Sequence, residues 1–155
     1  MHLVRALTIA VLLGLSALAA RAELATFEVA PLTIDTKSGA QHFTVEMALT
    51  PPQQEQGLMF RRSLAPDAGM LFVLAKTETA TFWMKNTYIP LDMLFIAADG
   101  HIADIHERAV PMSETLIVSK EPVRAVLELN GGTVARLGIR VGDEVHHKAF
   151  GNGAG

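Results

Sequence analysis

A chain of 155 residues, 50% hydrophobic and 19% charged, has too much apolar material for a disordered segment and too little length for two comfortable cores, so one globular domain is expected. Its 13 Lys+Arg are outnumbered by 16 Asp+Glu, which argues against a surface built to track phosphates or anionic lipid. Cysteine is absent, so neither disulfides nor thiol chemistry enter.

The first residues read as a cleavable leader. A short basic start ending at Arg5 is followed by an uncharged apolar run over 6–20, and Ala20, Arg21 and Ala22 supply the small-x-small pattern of signal peptidase, with cleavage before Glu23. The run is 15 residues long, short of the ~20 that a spanning helix needs, and no cysteine follows it to carry a lipid. A signal peptide over 1–22 therefore predicts a periplasmic or secreted protein with no membrane attachment after cleavage. The mature chain of 133 residues keeps 11 Lys+Arg against 16 Asp+Glu, a formal charge of −5.

Residues 24–34 read as a first strand and 36–39 as a turn. Residues 42–49 alternate as a second strand, with Phe43, Val45, Met47 and Leu49 on one face. Thr50, Pro51, Pro52 and Gln53 combine a capping box with prolines in the first turn, which starts a helix that Gly57 closes. Residues 70–74 are apolar on both faces, the mark of a buried strand. Residues 79–85 and 91–97 read as two more strands, and Asp99-Gly100 as a tight turn into 101–105. A strand over 125–129 leads to Asn130, placed to cap a helix over 131–137 that Gly138 ends, and 145–150 make the last strand. The expectation is a mainly β domain over 23–150, an antiparallel sandwich or barrel of about eight short strands with two short helical inserts, followed by a frayed tail at 151–155.

No Gly-x-Ser-x-Gly elbow, Walker loop, Gly-x-Gly-x-x-Gly or His-Glu-x-x-His occurs. On a strand, neighbouring His146 and His147 face opposite sides, and His101 and His106 differ in parity, so histidine does not assemble a metal site by spacing. Met59, Met70, Met84 and Met93 lie in apolar segments without a Met-x-x-Met cluster, which reads as core filling rather than Cu(I) ligation. No metal or other cofactor is implied.

The stretch FWMKNTYIPLDMLF at 82–95 places Lys85, Asn86 and Asp92 inside an apolar run. If 86–90 returns the chain antiparallel, Lys85 and Asp92 flank one turn with Trp83 beside the lysine stem. That group is either a turn clasp with an exposed ion pair or the rim of a small-ligand site.

GLMFR at 57–61, GMLF at 69–72, FWMKNT at 82–87, PLD at 90–92, DG at 99–100, VLEL at 126–129 before Gly131, and GD at 142–143 resemble, in order and spacing, the family catalogued as domain of unknown function 192 (DUF192). The resemblance runs from about Phe43 to Val145. It implies a small, mostly β single domain of a kind often exported from bacteria, with no established activity, and it marks Arg61, Trp83, Lys85, Asn86 and Asp92 as matching positions. The expected function is an exported binding or accessory domain holding a small polar ligand or an envelope partner at those five residues, with no nucleic acid. One alternative is an envelope-acting hydrolase or lyase with Asp92 as general base and Lys85 or Arg61 stabilising negative charge. The other is a purely structural polar cluster.

Overall fold

The computed structural model describes residues 24–153; the expected signal peptide at 1–22 lies outside them. Alternation in the first third folds as a hairpin. Strand β1 (Glu28–Thr36) pairs antiparallel with β2 (Gly39–Ala48) around a turn in which Thr36 Oγ1 donates to Gly39 O at 2.9 Å. Phe43, Val45 and Met47 enter the core, whereas Leu49 is exposed because the strand ends at Ala48.

Helix α1 (Pro51–Gln56) has the expected capping box. Gln53 Oε1 accepts from the Leu49 and Thr50 amides at 2.9 and 3.0 Å, and Gly57 ends the helix at φ 47° and ψ −136°, a region open to glycine. The excursion through α1 lets the next strand, β3 (Ala68–Glu78), lie parallel to β2. This is a departure from an all-antiparallel arrangement, and the other strand pairs are antiparallel.

The remaining strands are β4 (Thr81–Phe82), β5 (Leu91–Ile96), β6 (Ile102–Ala109), β7 (Ile117–Val118), β8 (Val123–Asn130) and β9 (Glu144–His146), with helix α2 (Thr133–Leu137) between the last two. Seven strands form one sheet in the order β6-β5-β8-β3-β2-β1-β9, while β4 and β7 pair apart. The long sheet curls into a half-barrel whose edges meet at one end, where the Val145 amide donates to Gly100 O at 2.8 Å and the Ile102 amide to Asp143 O at 2.9 Å. The domain is mainly β and single.

Two apolar clusters occupy opposite faces. Leu32, Ile34, Phe43, Val45, Leu71, Leu94, Leu127 and Val145 fill the inside of the curl with Val134 of α2. Met70, Phe72, Met93, Phe95 and Val126 pack on the other face against Leu58, Ala80 and Met84. A strand apolar on both faces, such as β3 or β5, follows from this double coverage.

Two local expectations fail. Residues 79–85 supply only the two-residue β4, which pairs with β7, and β5 pairs with β6 and β8, so 79–85 and 91–97 are not a hairpin. Residues 145–150 split into β9 and a single 3₁₀ turn over Lys148–Phe150. The tail is also held as far as the description runs. Asn152 Nδ2 donates to Val145 O at 3.1 Å, and Asn152 Oδ1 accepts from the His147 amide at 3.2 Å.

Candidate functional site

The segment after β4 turns sharply instead of extending. The Thr87 amide donates to Met84 O at 3.1 Å, and Asn86 sits at φ 55°, a left-handed conformation that asparagine tolerates better than most residues. Two neighbouring loops are stitched to this turn: the Phe60 amide donates to Asn86 O at 2.8 Å, and the Met112 amide to Thr87 O at 3.0 Å. Phe60 and Met112 are themselves left-handed, at φ 64° and 62°. Three non-glycine residues in a costly conformation thus meet at one place, and such strain persists only where the surroundings over-determine it.

Beside this turn lies a cavity of about 680 Å³ walled by α1, the end of β3, β4 and the turn. Trp83, Lys85 and Asn86 line it. Its apolar lining includes Met59, Phe72, Leu74 and Phe82, with the Phe72 and Phe82 rings edge to face at 5.0 Å between centroids. Gly57 brings backbone close here, since a methyl on it would stand 3.1 Å from Phe72 Cζ. Glu55 and Glu78 add carboxylates, and Thr79, Thr81 and Asn86 add neutral polar groups.

Lys85 Nζ lies 5.0 Å from the Trp83 ring centroid and 3.5 Å from Glu114 Oε1. Trp83 is 43% exposed, so its ring is available to stack on a solute. The lysine is held by a cation–π contact and an exposed ion pair, each worth up to ~1 kcal/mol. Neither contact locks it away from a ligand.

Arg61 and Asp92 lie elsewhere. Arg61 Nη2 reaches Glu46 Oε1 and Oε2 at 3.0 and 2.9 Å and does not line the cavity. Asp92 is fully buried at 0% exposure. Its Oδ1 accepts from the Arg108 amide at 2.8 Å, both oxygens accept from Gly132 at 3.0 Å, and Oδ2 accepts from Val134 at 2.8 Å. Asp92 therefore faces the inside of the curl and caps α2 from another strand, so the expected meeting of Lys85 with Asp92 does not occur. A carboxylate with every oxygen engaged and no solvent access is poorly placed as a general base. Asn130, expected as the cap of that helix, instead donates to Leu64 O and Ala65 O at 2.9 and 3.0 Å.

Several residues of interest had no clear mark in the sequence. Met59 and Phe72 are cavity lining that reads as core, although both sit in the GLMFR and GMLF words. Glu128 sits in the middle of VLEL on β8, in register between Met70 of β3 and Met93 of β5. It is 5% exposed, and burial pushes its carboxyl from the ordinary 4.5 up to about 8. Among the described residues no group of three or more His, Asp or Glu side chains is placed to hold a metal, and no helix is long and apolar enough to cross a membrane.

Residues 32–147 match the family model DUF192, described as Uncharacterized ACR. A solved structure from Sinorhizobium meliloti 1021, provisionally named a transcription regulator, is 53% identical over 81% of this chain and 98% of its own, with a TM-score of 0.78. A protein of unknown function from Novosphingobium aromaticivorans DSM 12444 is 44% identical over 77% of this chain and 85% of its own, with a TM-score of 0.75. A comparison with curated proteins finds no match.

Proposed function

This chain belongs to the DUF192 family, and we propose that it is an exported binding domain holding a small polar solute in the cavity beside Trp83, Lys85 and Asn86. The observation that carries this reading is the convergence of an exposed indole, an ammonium and a turn amide on one cavity of about 680 Å³, a size within the range of small-molecule sites. Its single cation is offset by Glu55, Glu78 and the nearby Glu114, which disfavours a strongly anionic ligand. Trp83 and the neutral polar lining suit a hydroxyl- or amide-rich solute, a sugar or a zwitterionic amino acid, with one flat face on the indole. The leader pattern at 1–22 supports export to the periplasm or the medium. The charge balance disfavours the nucleic-acid role that the Sinorhizobium relative's name suggests, because a chain with 13 Lys+Arg against 16 Asp+Glu lacks the cationic excess that phosphate tracking needs.

Trp83 is the sole tryptophan of the sequence, so intrinsic fluorescence reports on this cavity directly. Titration with a panel of sugars and amino acids should find a solute that shifts Trp83 emission, and Lys85→Ala should weaken it about tenfold, equivalent to ~1.4 kcal/mol. Stabilisation by a solute that leaves Trp83 emission unchanged and survives Lys85→Ala would place the site elsewhere.

A further inference from the structure

A second cavity, of about 590 Å³, lies between the first half of β1 and the C-terminal loop. Strand β9 pairs with β1 only over Thr33, Ile34 and Asp35. Beyond that point the chain leaves the sheet through the 3₁₀ turn, and the cleft opens beside Val29, Ala30, Pro31 and Leu32. That wall is aliphatic up to Thr33 at its end. The opposite wall carries His147 and Lys148.

His147 is 3% exposed. Its Nδ1 accepts from the Ala149 amide at 3.1 Å, and its backbone amide is held by Asn152. Burial, then the charge of Lys148, holds the imidazole below the ordinary histidine value of 6.5, so the ring is neutral at pH 7. A neutral ring whose Nδ1 accepts must carry its proton on Nε2. That Nε2–H is buried and has no hydrogen-bond partner among the described residues. A buried donor left unpaired is costly, and a bound acceptor would recover that cost.

We propose that this cleft binds a medium-chain aliphatic carboxylate whose entry shifts the side chains covering His147 Nε2–H, so that one oxygen accepts from it, the charge faces Lys148, and the chain lies along Val29, Ala30 and Pro31. A carboxylate is an acceptor-only group, so it matches a donor and a cation without needing an acceptor in return. The aliphatic wall accounts for a tail rather than a second polar group. This site is independent of the Trp83 cavity and lined by none of the same residues.

The test uses the mature chain with octanoate as probe, octanol and acetate as controls, and ¹⁵N spectra of the imidazoles as readout. Octanoate at millimolar concentration is expected to shift the His147 Nε2 resonance and leave Trp83 emission unchanged. Octanol, lacking the charge, and acetate, lacking the tail, should each bind at least tenfold more weakly. Lys148→Gln and Val29→Glu change exposed side chains and leave His147 in place; each should weaken octanoate threefold or more while the His147 tautomer signature persists. Equal binding of octanol, or no shift at His147 with octanoate, overturns the proposal. So would a carboxy-terminal peptide that binds the cleft while free octanoate does not.

Discussion

The carboxylate of Asp92 on β5 accepts a hydrogen bond from the backbone amide of Val134 in α2 at 2.8 Å, across 42 positions of sequence. With Gly132 and Arg108 also donating to it, one side chain ties the sheet interior, the start of α2 and β6 together. Removing it leaves three backbone donors without their acceptor. Asp92→Ala should lower stability by ~3–5 kcal/mol and Asp92→Asn, which keeps one acceptor oxygen, by ~2–3 kcal/mol. Urea denaturation checks both, and a loss below ~1 kcal/mol in the alanine variant would mean that solvent satisfies these donors.

Asp92 also shows where sequence reading stops. Alternation located β2, apolar runs located β3, β5 and β8, and the capping box located α1, because those signals lie within a few neighbouring residues. Strand periodicity also puts Asp92 on the face of Leu94 and Ile96, which fills the inside of the curl. Its partner was not legible, because β5 pairs with β6 and β8 and not with the segment preceding it. A turn signal at 86–90 says that the chain changes direction and nothing about which strand it joins next. Trp83, Lys85 and Asn86 stay together in the cavity lining because three near neighbours on one tight turn travel as a unit. Met59 and Phe72 join them only through long-range packing, and His147 gained its interest only from what surrounds it.

Glu128 makes a pH prediction. Its folded carboxyl titrates at about 8 against 4.5 ordinarily, so between those values the unfolded chain has released a proton that the folded chain retains. Stability due to this group is therefore full below about pH 4.5 and falls as pH rises through about 8, by a few kcal/mol, ~3–5 in order of magnitude. Glu128→Gln removes the titrating group, so its unfolding free energy should lose that slope and exceed the wild type at pH 8.5. Parallel urea curves at pH 5 and 8.5 measure the difference, and identical slopes in the two proteins would show that the carboxylate finds water.

Gly69 of β3 has no room for a side chain against β8. A methyl there would stand 2.7 Å from the Glu128 carbonyl oxygen and 2.8 Å from Leu129 Cδ2, and the first of these is backbone in a paired strand. Gly69→Ala should therefore force the two central strands apart and cost ~2–3 kcal/mol. Gly142, where a methyl meets nothing within 4 Å, isolates the conformational part. With φ 91°, its alanine variant should lose only the left-handed penalty of ~1–2 kcal/mol.

Asn86 separates a clasp from a site. Its φ of 55° favours asparagine or glycine, and its Nδ2 makes only a long 4.0 Å contact with Met59 Sδ, so its side chain contributes little to folding. Asn86→Gly preserves the turn and should stay within ~0.5 kcal/mol of the wild type, whereas Asn86→Ala must pay a left-handed cost of ~1 kcal/mol. If the amide serves a ligand, both variants weaken the solute detected by Trp83 fluorescence to a similar degree despite their different stabilities. If it serves only the turn, affinity follows stability, and Asn86→Gly binds as the wild type does. Paired measurement of unfolding free energy and Trp83 titration in the two variants decides the matter, since backbone strain and side-chain contact change independently between them.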